Sequence, residues 1–366
     1  MRIKELDGLR GIAVLAVIHY HYFGWLPITG AEYGWLGVDL FFVLSGFLIS
    51  SILLELRDKE RYFTIFYSRR ALRIFPPYFL GLLIYLSVAF ALGMPGTLGL
   101  WSQYFFYYAS LYLHDPLPAH GAPLGVPWAV SFGLTVLWSL SVEEIYYMIW
   151  APVVRFTKEK AFTAILIGMC VAAPVLRWRL HTPDHLEIFT FYCRMDGLAY
   201  GSAVALLIRH WRHSPQEWIR ANRWFDWLTM AVVLLSAIFW LVFRGDLRNL
   251  LIVTVGITLA DLSFALISHA LIRRAGGSQR CVRFFRAKWI RSIGMVSYSL
   301  YLFHYLLLIV STELVAKLHL SRRVNAASLA LLGLVMSFAV AYGLWYGMES
   351  RILRWKDRKV PSPAHA

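Results

Sequence analysis

The sequence predicts an all-α polytopic membrane protein with about ten transmembrane helices. Of its 366 residues, 59% are hydrophobic and 16% are charged, whereas a typical soluble domain is about 25% charged. About ten apolar segments are long enough to cross a bilayer, and Lys and Arg concentrate in alternate connections between them. The three cysteines fall in different segments, which argues against a disulfide framework.

The apolar segments define the predicted spans. In chain order they lie near residues 9–27, 36–56, 75–93, 129–152, 161–178, 194–209, 225–243, 249–272, 293–312 and 326–348. The first segment has no small-residue cleavage site, so we expect it to remain as a helix and not to be removed as a signal peptide. Residues 1–350 are predicted to form the membrane domain, and residues 351–366 a short basic cytoplasmic tail.

The distribution of basic residues predicts the orientation. The chain has a net charge of +15, yet the loops at 28–35 and 94–128 contain no Lys or Arg. Because positive residues favour the cytoplasmic side of a membrane, these loops are predicted to lie outside and both termini inside. The charge therefore orients the protein and does not indicate a nucleic-acid partner. The aromatic stretch at 100–108 is too short to span and is expected at the outer interface.

The first predicted helix carries an ionisable stripe. Arg10 and His21 are eleven residues apart, which is three turns and roughly 20° more, so both lie on one face with Asp7. Such a stripe should face the protein interior or a wet cavity. His21 is the candidate general base because histidine titrates near neutrality. The alternative is a structural histidine bonded to a carbonyl or another helix. His19 points about 160° away from Arg10 and is the weaker candidate.

The rise between Arg10 and His21 is about 16 Å, which is too long for direct contact along the helix. We therefore expect the two residues to act at separate positions along one substrate path. The donor would bind near Arg10, and proton transfer would occur near His21.

Two carboxylates lie in the middle of the fourth predicted span. Glu143 and Glu144 belong to the segment from Trp138 to Tyr147, and carboxylates at this depth are rare and usually functional. One of them could pair with His21 or Arg10 or bind a substrate hydroxyl, and the alternative is a structural ion pair. Adjacent helical residues diverge by about 100°, so the two should have different roles.

Three arginines mark the entrance of the third span. Arg70 and Arg73 are three residues apart and share a helix face, with Arg69 beside them. Arginine binds phosphate bidentately. From spacing alone, anchoring against anionic lipid is the favoured alternative.

Two further segments carry polar residues at span ends. Arg194 and Asp196 suggest local ion pairing or helix capping. The segment 297–304 holds Tyr298 and His304, whose polar groups could line a cavity or join helices.

These motifs, in their order and spacing, resemble the acyltransferase-3 family of integral membrane acyltransferases over nearly the whole chain. The resemblance rests on Leu6–Gly11, the Arg10 and His21 pair, Gly37–Phe47, Arg69–Pro76, Trp138–Tyr147, Arg194–Asp196 and Ser297–His304. Glu349 followed by Ser350 departs from the family's Glu-x-Pro ending.

The resemblance implies transfer of an acyl group, often acetyl, from acyl-coenzyme A to a hydroxyl of a carbohydrate. The expected acceptor is a bacterial surface or exported polysaccharide or its lipid-linked precursor, and the expected location is the cytoplasmic (inner) membrane. A macrolide-type acceptor is the runner-up, and a transporter of a lipid-linked sugar or anionic metabolite is the alternative of another class. No permanently bound cofactor and no metal are expected.

The resemblance also implies roles for individual residues. Arg69, Arg70 and Arg73 would bind the phosphates of coenzyme A, and Arg10 would bind the donor or stabilise an oxyanion. His21 would deprotonate the acceptor or, as a second possibility, carry the acyl group. Glu143 would orient His21. The residues expected to shape or support the cavity are Asp7, Asp39, Ser45, Trp138, Glu144, Arg194, Asp196, Tyr298 and His304.

Overall fold

The computed structural model describes residues 3–24, 30–91, 98–111, 136–182, 186–212, 215–316 and 322–360. Within these ranges the chain is helical, with turns and short connections and no strand, as the sequence predicts. The beginning of the predicted span at 129–152 and most of the loop at 94–128 lie outside the described residues.

The α-helices are numbered in chain order. They are α1 Lys4–Phe23, α2 Gly37–Leu56, α3 Tyr62–Ala91, α4 Leu98–Phe105, α5 Trp138–Phe156, α6 Glu159–Leu180, α7 Phe191–Arg212, α8 Pro215–Val242, α9 Ile257–Arg273, α10 Arg280–Arg286, α11 Lys288–Met295, α12 Ser297–Ala316, α13 Arg322–Leu344 and α14 Ser350–Lys359. Short π-helical segments, Ile252–Gly256 and Trp345–Glu349, precede α9 and follow α13. A 3₁₀ helix, Ala31–Leu36, leads into α2.

Six helices of the described chain are long and apolar enough to cross a membrane: Glu32–Leu56, Tyr62–Val88, Glu159–Leu180, Trp224–Val242, Ile252–Arg273 and Ser328–Lys359. A seventh is obtained when α11 and α12, which meet at an angle of 70°, are counted as one broken span. These seven coincide with seven of the predicted spans. The total of ten and the cytoplasmic position of both termini stay predictions.

Helices α1, α5 and α7 correspond to the other three predicted spans and are absent from that apolar set. They carry the ionisable residues singled out above, including Arg10, Glu143 and Arg194. Glu5, Arg194 and Asp196 are buried against other helices, where protein contacts replace water, and Arg10 and Glu143 are partly buried. The charged residues that lower the hydropathy of these helices are therefore residues that contact other helices inside the protein.

Helices α2 and α7 approach until their backbones touch. A Cβ atom on Gly46 would collide with the backbone of Leu198, and one on Gly201 would collide with the backbone of Val43. Small residues at such positions allow close helix packing in membranes. This contact brings Asp39 on α2 against Arg194 on α7.

The break between α11 and α12 determines where α12 begins. Ser297, Tyr301 and His304 follow the break at positions i, i+4 and i+7, so they lie on one face of α12. Ser297 and His304 each contact α1. The face thus runs alongside the ionisable stripe of the first helix.

The predicted basic tail begins as a helix held to the membrane domain. Arg69 on α3 donates to Asp357 on α14 at 2.6 Å and to the carbonyl of Val360 at 2.7 Å. Residues 361–366 lie outside the described residues.

Candidate functional site

A polar pocket lies between α1, α2, α3, α5 and α12. It encloses about 560 Å³ of non-atom space, including the solvent at its open mouth. Its lining consists of Arg10, Val38, Phe41, Phe42, Ser45, Arg70, Arg73, Ile74, Ser139, Leu140, Glu143, Ser297, Tyr298 and Tyr301. Three arginines against one glutamate give this lining a net positive charge, which favours an anionic ligand.

Arg70 is the most constrained of the three arginines. It lies 3.9 Å from Glu143 and 3.8 Å from Glu144. Its guanidinium also stacks over the ring of Tyr147 at 3.9 Å from the centroid. Both carboxylates therefore compensate its charge. Glu144 does this from outside the pocket lining, so the two glutamates have different surroundings.

Arg73 and Arg10 are less compensated. Arg73 is exposed at the pocket and makes no hydrogen bond or ion pair with any residue that the structure describes. Arg10 donates to the hydroxyl of Ser297 at 3.3 Å and lies over the ring of Phe41 at 5.6 Å. Asp7 is close enough to Arg10 to interact electrostatically. Their guanidinium groups keep donors available for a bound anion.

Hydroxyl groups also line the pocket and bond its other residues. Ser45 donates to Glu143 at 2.5 Å, which fixes that carboxylate beside Arg70. Tyr298 donates to the carbonyl of Ile74 at 3.2 Å, and the hydroxyls of Tyr301 and Ser139 lie 2.7 Å apart. These bonds orient polar side chains around the pocket and exclude alternative rotamers.

His21 lies beyond the pocket lining, next to His304. Their Nδ1 and Nε2 atoms are 3.1 Å apart, and Nδ1 of His21 is also 3.0 Å from the carbonyl of Val17. The orienting partner of His21 is therefore His304 and not Glu143, which bonds Ser45 and Arg70 instead. Helical spacing in the sequence could not show which neighbouring helix the side chain of Glu143 faces.

Tyr301 connects the pocket with the histidines. It lines the pocket, and its ring centroid is 5.7 Å from that of His304. Ser297 at the other end of the same face reaches Arg10. Seven residues of α12, about 10 Å of rise, thus span the distance between the arginine end and the histidine pair.

A second group of charges, which we call the buried ion cluster, lies outside this pocket. It consists of Asp39, Arg177, Arg194, Asp196 and Asp261, each at most 1% exposed. Arg177 binds Asp196 through two hydrogen bonds of 2.9 and 2.6 Å. Arg194 donates to Asp39 and lies 5.7 Å from the Trp138 ring centroid.

This cluster corrects three expectations. The local pairing of Arg194 with Asp196 is wrong, because residues two apart on a helix diverge by about 200° and each finds a partner on another helix. Asp39 does not share the cavity of Ser45, because six residues separate the two by about 240° around α2. Trp138 covers Arg194 instead of the pocket.

Arg69 also departs from its expected place. It is absent from the pocket lining and binds Asp357 and Val360 on the C-terminal segment. Sequence reasoning missed Arg177 and Asp261. Both interrupt otherwise apolar spans, and such an ionisable residue is the signal that could have identified them.

The chain is similar to known membrane acyltransferases. The acyltransferase-3 family model, described as an acyltransferase domain, matches residues 3–346. The chain is 29% identical over 329 residues to the peptidoglycan O-acetyltransferase OatA of Listeria monocytogenes, covering 85% of this chain and 50% of the relative. It is also 29% identical over 342 residues to the putative peptidoglycan O-acetyltransferase YrhL of Bacillus subtilis, covering 85% and 49%.

Shorter similarity extends to a putative O-acetyltransferase of Staphylococcus aureus, SACOL0978, with 49% identity over 77 residues, 20% of this chain and 12% of the relative. The chain spans about half the length of the first two relatives. No solved structure matches the chain significantly.

Proposed function

Because the chain belongs to the acyltransferase-3 family, we propose that it is a membrane O-acyltransferase that moves an acetyl group from acetyl-coenzyme A to a hydroxyl of an exported bacterial glycan. The observation that carries this proposal is a positively charged pocket that leads, along one face of α12, to a pair of histidines. A polyanionic donor and a base near its reacting end are what such a transfer requires.

We assign binding of the coenzyme A donor to Arg73 and Arg10. Arg73 makes no hydrogen bond or ion pair with any described residue, and Arg10 hydrogen-bonds only the hydroxyl of Ser297 within that part of the chain. Arginine donors suit phosphate oxygens, which coenzyme A supplies. Arg70 contributes less to binding, because two glutamates already compensate its charge.

We assign the role of general base in the acyl transfer to His21. Its imidazole takes the proton of the acceptor hydroxyl while the hydroxyl oxygen attacks the thioester carbonyl. The carbon–sulfur bond then breaks, and the proton passes from the imidazole to the leaving thiolate, giving free coenzyme A and an acetyl ester. A thioester has a good leaving group, so a positioned base is the main chemical requirement.

The proposed acceptor follows from the relatives, two of which are named peptidoglycan O-acetyltransferases. Peptidoglycan or another exported polysaccharide is the acceptor class that we assign, with the bacterial cytoplasmic membrane as the location. An acceptor of this kind must present its hydroxyl close to His21.

The test uses the purified full chain in lipid nanodiscs with acetyl-coenzyme A labelled in the acetyl group. We expect label to appear in peptidoglycan fragments or purified polysaccharide with the wild type, and His21→Ala to abolish the transfer. His19→Ala is the matched control, since this histidine lies two residues away on another face and should retain activity. Equal transfer by wild type and His21→Ala would contradict the role of His21. Bound but unconsumed donor would contradict the acyltransferase proposal and favour transport.

A further inference from the structure

The contacts of His21 and His304 also determine the tautomer of each ring. His304 on α12 is fully buried, and its Nε2 lies 3.1 Å from Nδ1 of His21 on α1. A neutral imidazole has one nitrogen that donates and one that accepts. The surroundings of each nitrogen therefore determine where the hydrogen sits.

The hydrogen of His304 is fixed by its own helix. Its Nδ1 lies 2.6 Å from the carbonyl oxygen of Tyr301, and a carbonyl can only accept. Nδ1 must therefore carry the hydrogen. In the neutral ring Nε2 then has a lone pair and can only accept from His21.

The hydrogen of His21 follows from this. Its Nδ1 faces two acceptors, the carbonyl of Val17 at 3.0 Å and Nε2 of His304 at 3.1 Å. Both contacts require a hydrogen on Nδ1. The lone pair of His21 is left on Nε2, the ring nitrogen that faces neither of these acceptors. The ring of Tyr305 packs edge-on against His21 at 5.3 Å and 89°, which restricts its rotation.

We propose that His304 is a positioning residue that, together with the carbonyl of Val17, holds His21 in the Nδ1–H tautomer, so that Nε2 is the atom that takes the acceptor proton. This inference rests on the proposed acyl transfer. Nε2 receives the proton as the carbon–oxygen bond forms and returns it to the thiolate after the carbon–sulfur bond breaks. The hydrogen on Nδ1 stays in place, bonded to His304, which stabilises the imidazolium between the two steps.

The hydrogen-bond chain ends at Tyr301. Its carbonyl oxygen is not a base, so the proton taken from the acceptor is not relayed through His304 to another site. His304 therefore acts through His21 alone. This role resembles the orienting partner of a catalytic histidine in other acyl-transfer sites, with an imidazole in place of the carboxylate.

The experiment compares His304→Leu with His304→Gln by steady-state transfer of labelled acetyl groups. Leucine removes the acceptor, whereas the glutamine amide oxygen can accept from Nδ1 of His21 at a similar reach. We expect His304→Leu to lower kcat about 10- to 100-fold, with KM for acetyl-coenzyme A unchanged. This is part of the roughly 10²- to 10⁴-fold contribution of a general base, because the variant removes the orienting partner and leaves the base in place. His304→Gln should restore most of kcat. Tyr22 bonds the backbone carbonyl of His304, so neither variant removes that contact.

A spectroscopic measurement tests the tautomer without activity. In wild-type protein labelled with ¹⁵N-histidine, the signals of His21 are identified as those that disappear in His21→Gln. These signals should show a hydrogen bonded to Nδ1 and none on Nε2. A hydrogen on Nε2, or a kcat that is the same in wild type and His304→Leu, would overturn the inference. An equal loss of kcat in His304→Leu and His304→Gln would also overturn the inference. If His304 only filled space, glutamine would not restore kcat. A wild type without transfer but with hydrogen on Nδ1 would contradict the proposed function and support the tautomer.

Discussion

The pocket and the buried ion cluster contain the same residue types, arginine and carboxylate, but use them differently. In the cluster, Arg177 and Asp196 are both 0% exposed and 2.6 Å apart. In the pocket, Arg70 is 19% exposed, and its carboxylate partners lie at 3.8 and 3.9 Å. In the cluster, two close ion pairs join α2, α6 and α7, and a hydrogen bond from Arg177 to Thr258 reaches α9. In the pocket, the arginines lie beside empty space, and Arg73 has no carboxylate within ion-pair distance in the described chain.

The difference teaches how to separate structural from ligand-binding charges in a membrane protein. A buried charge needs an opposite charge close by, since an uncompensated buried ion costs several kcal/mol. A charge beside a cavity can remain partly unpaired, because water or a ligand replaces the missing partner. Loose pairing next to empty space therefore marks a binding surface more reliably than the presence of charge.

The largest expected effect comes from breaking one cluster pair. Asp196→Leu leaves Arg177 buried without its carboxylate, which should cost about 3–5 kcal/mol of folding free energy. We expect a large loss of folded protein on detergent extraction and a lower thermal unfolding temperature. The double variant Arg177→Met with Asp196→Leu should recover much of that stability. A single variant as stable as the wild type would remove the structural role of this pair.

The next effect concerns the donor. Arg73→Ala should weaken binding of acetyl-coenzyme A about 10- to 100-fold, as expected for loss of a charged hydrogen bond worth about 1.5–3 kcal/mol. The unfolding temperature should change little, since Arg73 makes no hydrogen bond or ion pair within the described chain. Arg69→Ala is the control and should leave the affinity unchanged. Equal weakening by both variants would show that general positive charge, and not the pocket, attracts the donor.

A smaller effect is expected from the pocket wall. Ser45→Ala removes the 2.5 Å hydrogen bond to Glu143, which should lower stability by about 1–2 kcal/mol. Thermal unfolding in nanodiscs measures this change. Ser87→Ala is the matched control, because the Ser87 hydroxyl is exposed and bonds only a carbonyl of its own helix at 2.9 Å. Indistinguishable unfolding temperatures in the two variants would mean that Ser45 does not hold Glu143.

The smallest effect belongs to the C-terminal helix. The pair between Arg69 and Asp357 is 20% and 61% exposed, and such surface pairs contribute about 0–1 kcal/mol. Asp357→Ala should therefore change the unfolding temperature little, and less still at high salt, which screens the pair. A loss as large as that of Asp196→Leu would contradict the distinction drawn between exposed and buried pairs.

Much of the architecture could be predicted from hydropathy, because apolar length alone sets the seven spans that the structure supports. Helical periodicity also predicted that Arg10 and His21 face inward without touching each other. Periodicity determines a face, however, and not the neighbouring helix. For this reason the contact of His21 with His304, which is 283 residues away in sequence, could not be read from spacing.

The same limit explains the errors at Arg194 and Asp196. Proximity in sequence suggested a local pair, but helical geometry separates their side chains and long-range packing supplies the partners. Arg69 and Arg70 show the opposite case. Their neighbouring positions diverge by about 100°, so only one of them reaches the pocket.

Partners in the buried ion cluster are separated in sequence, so they enter the membrane at different times during synthesis. Asp39 is synthesised 155 residues before Arg194. At about 5–20 residues per second, α2 is in place for roughly 8–30 s before its partner is made. Arg177 likewise precedes Asp196, by 19 residues. Helix α7 supplies the partners of both Asp39 and Arg177. Its insertion therefore neutralises both ions and allows α2, α6 and α7 to assemble before α9, which carries Asp261, is synthesised.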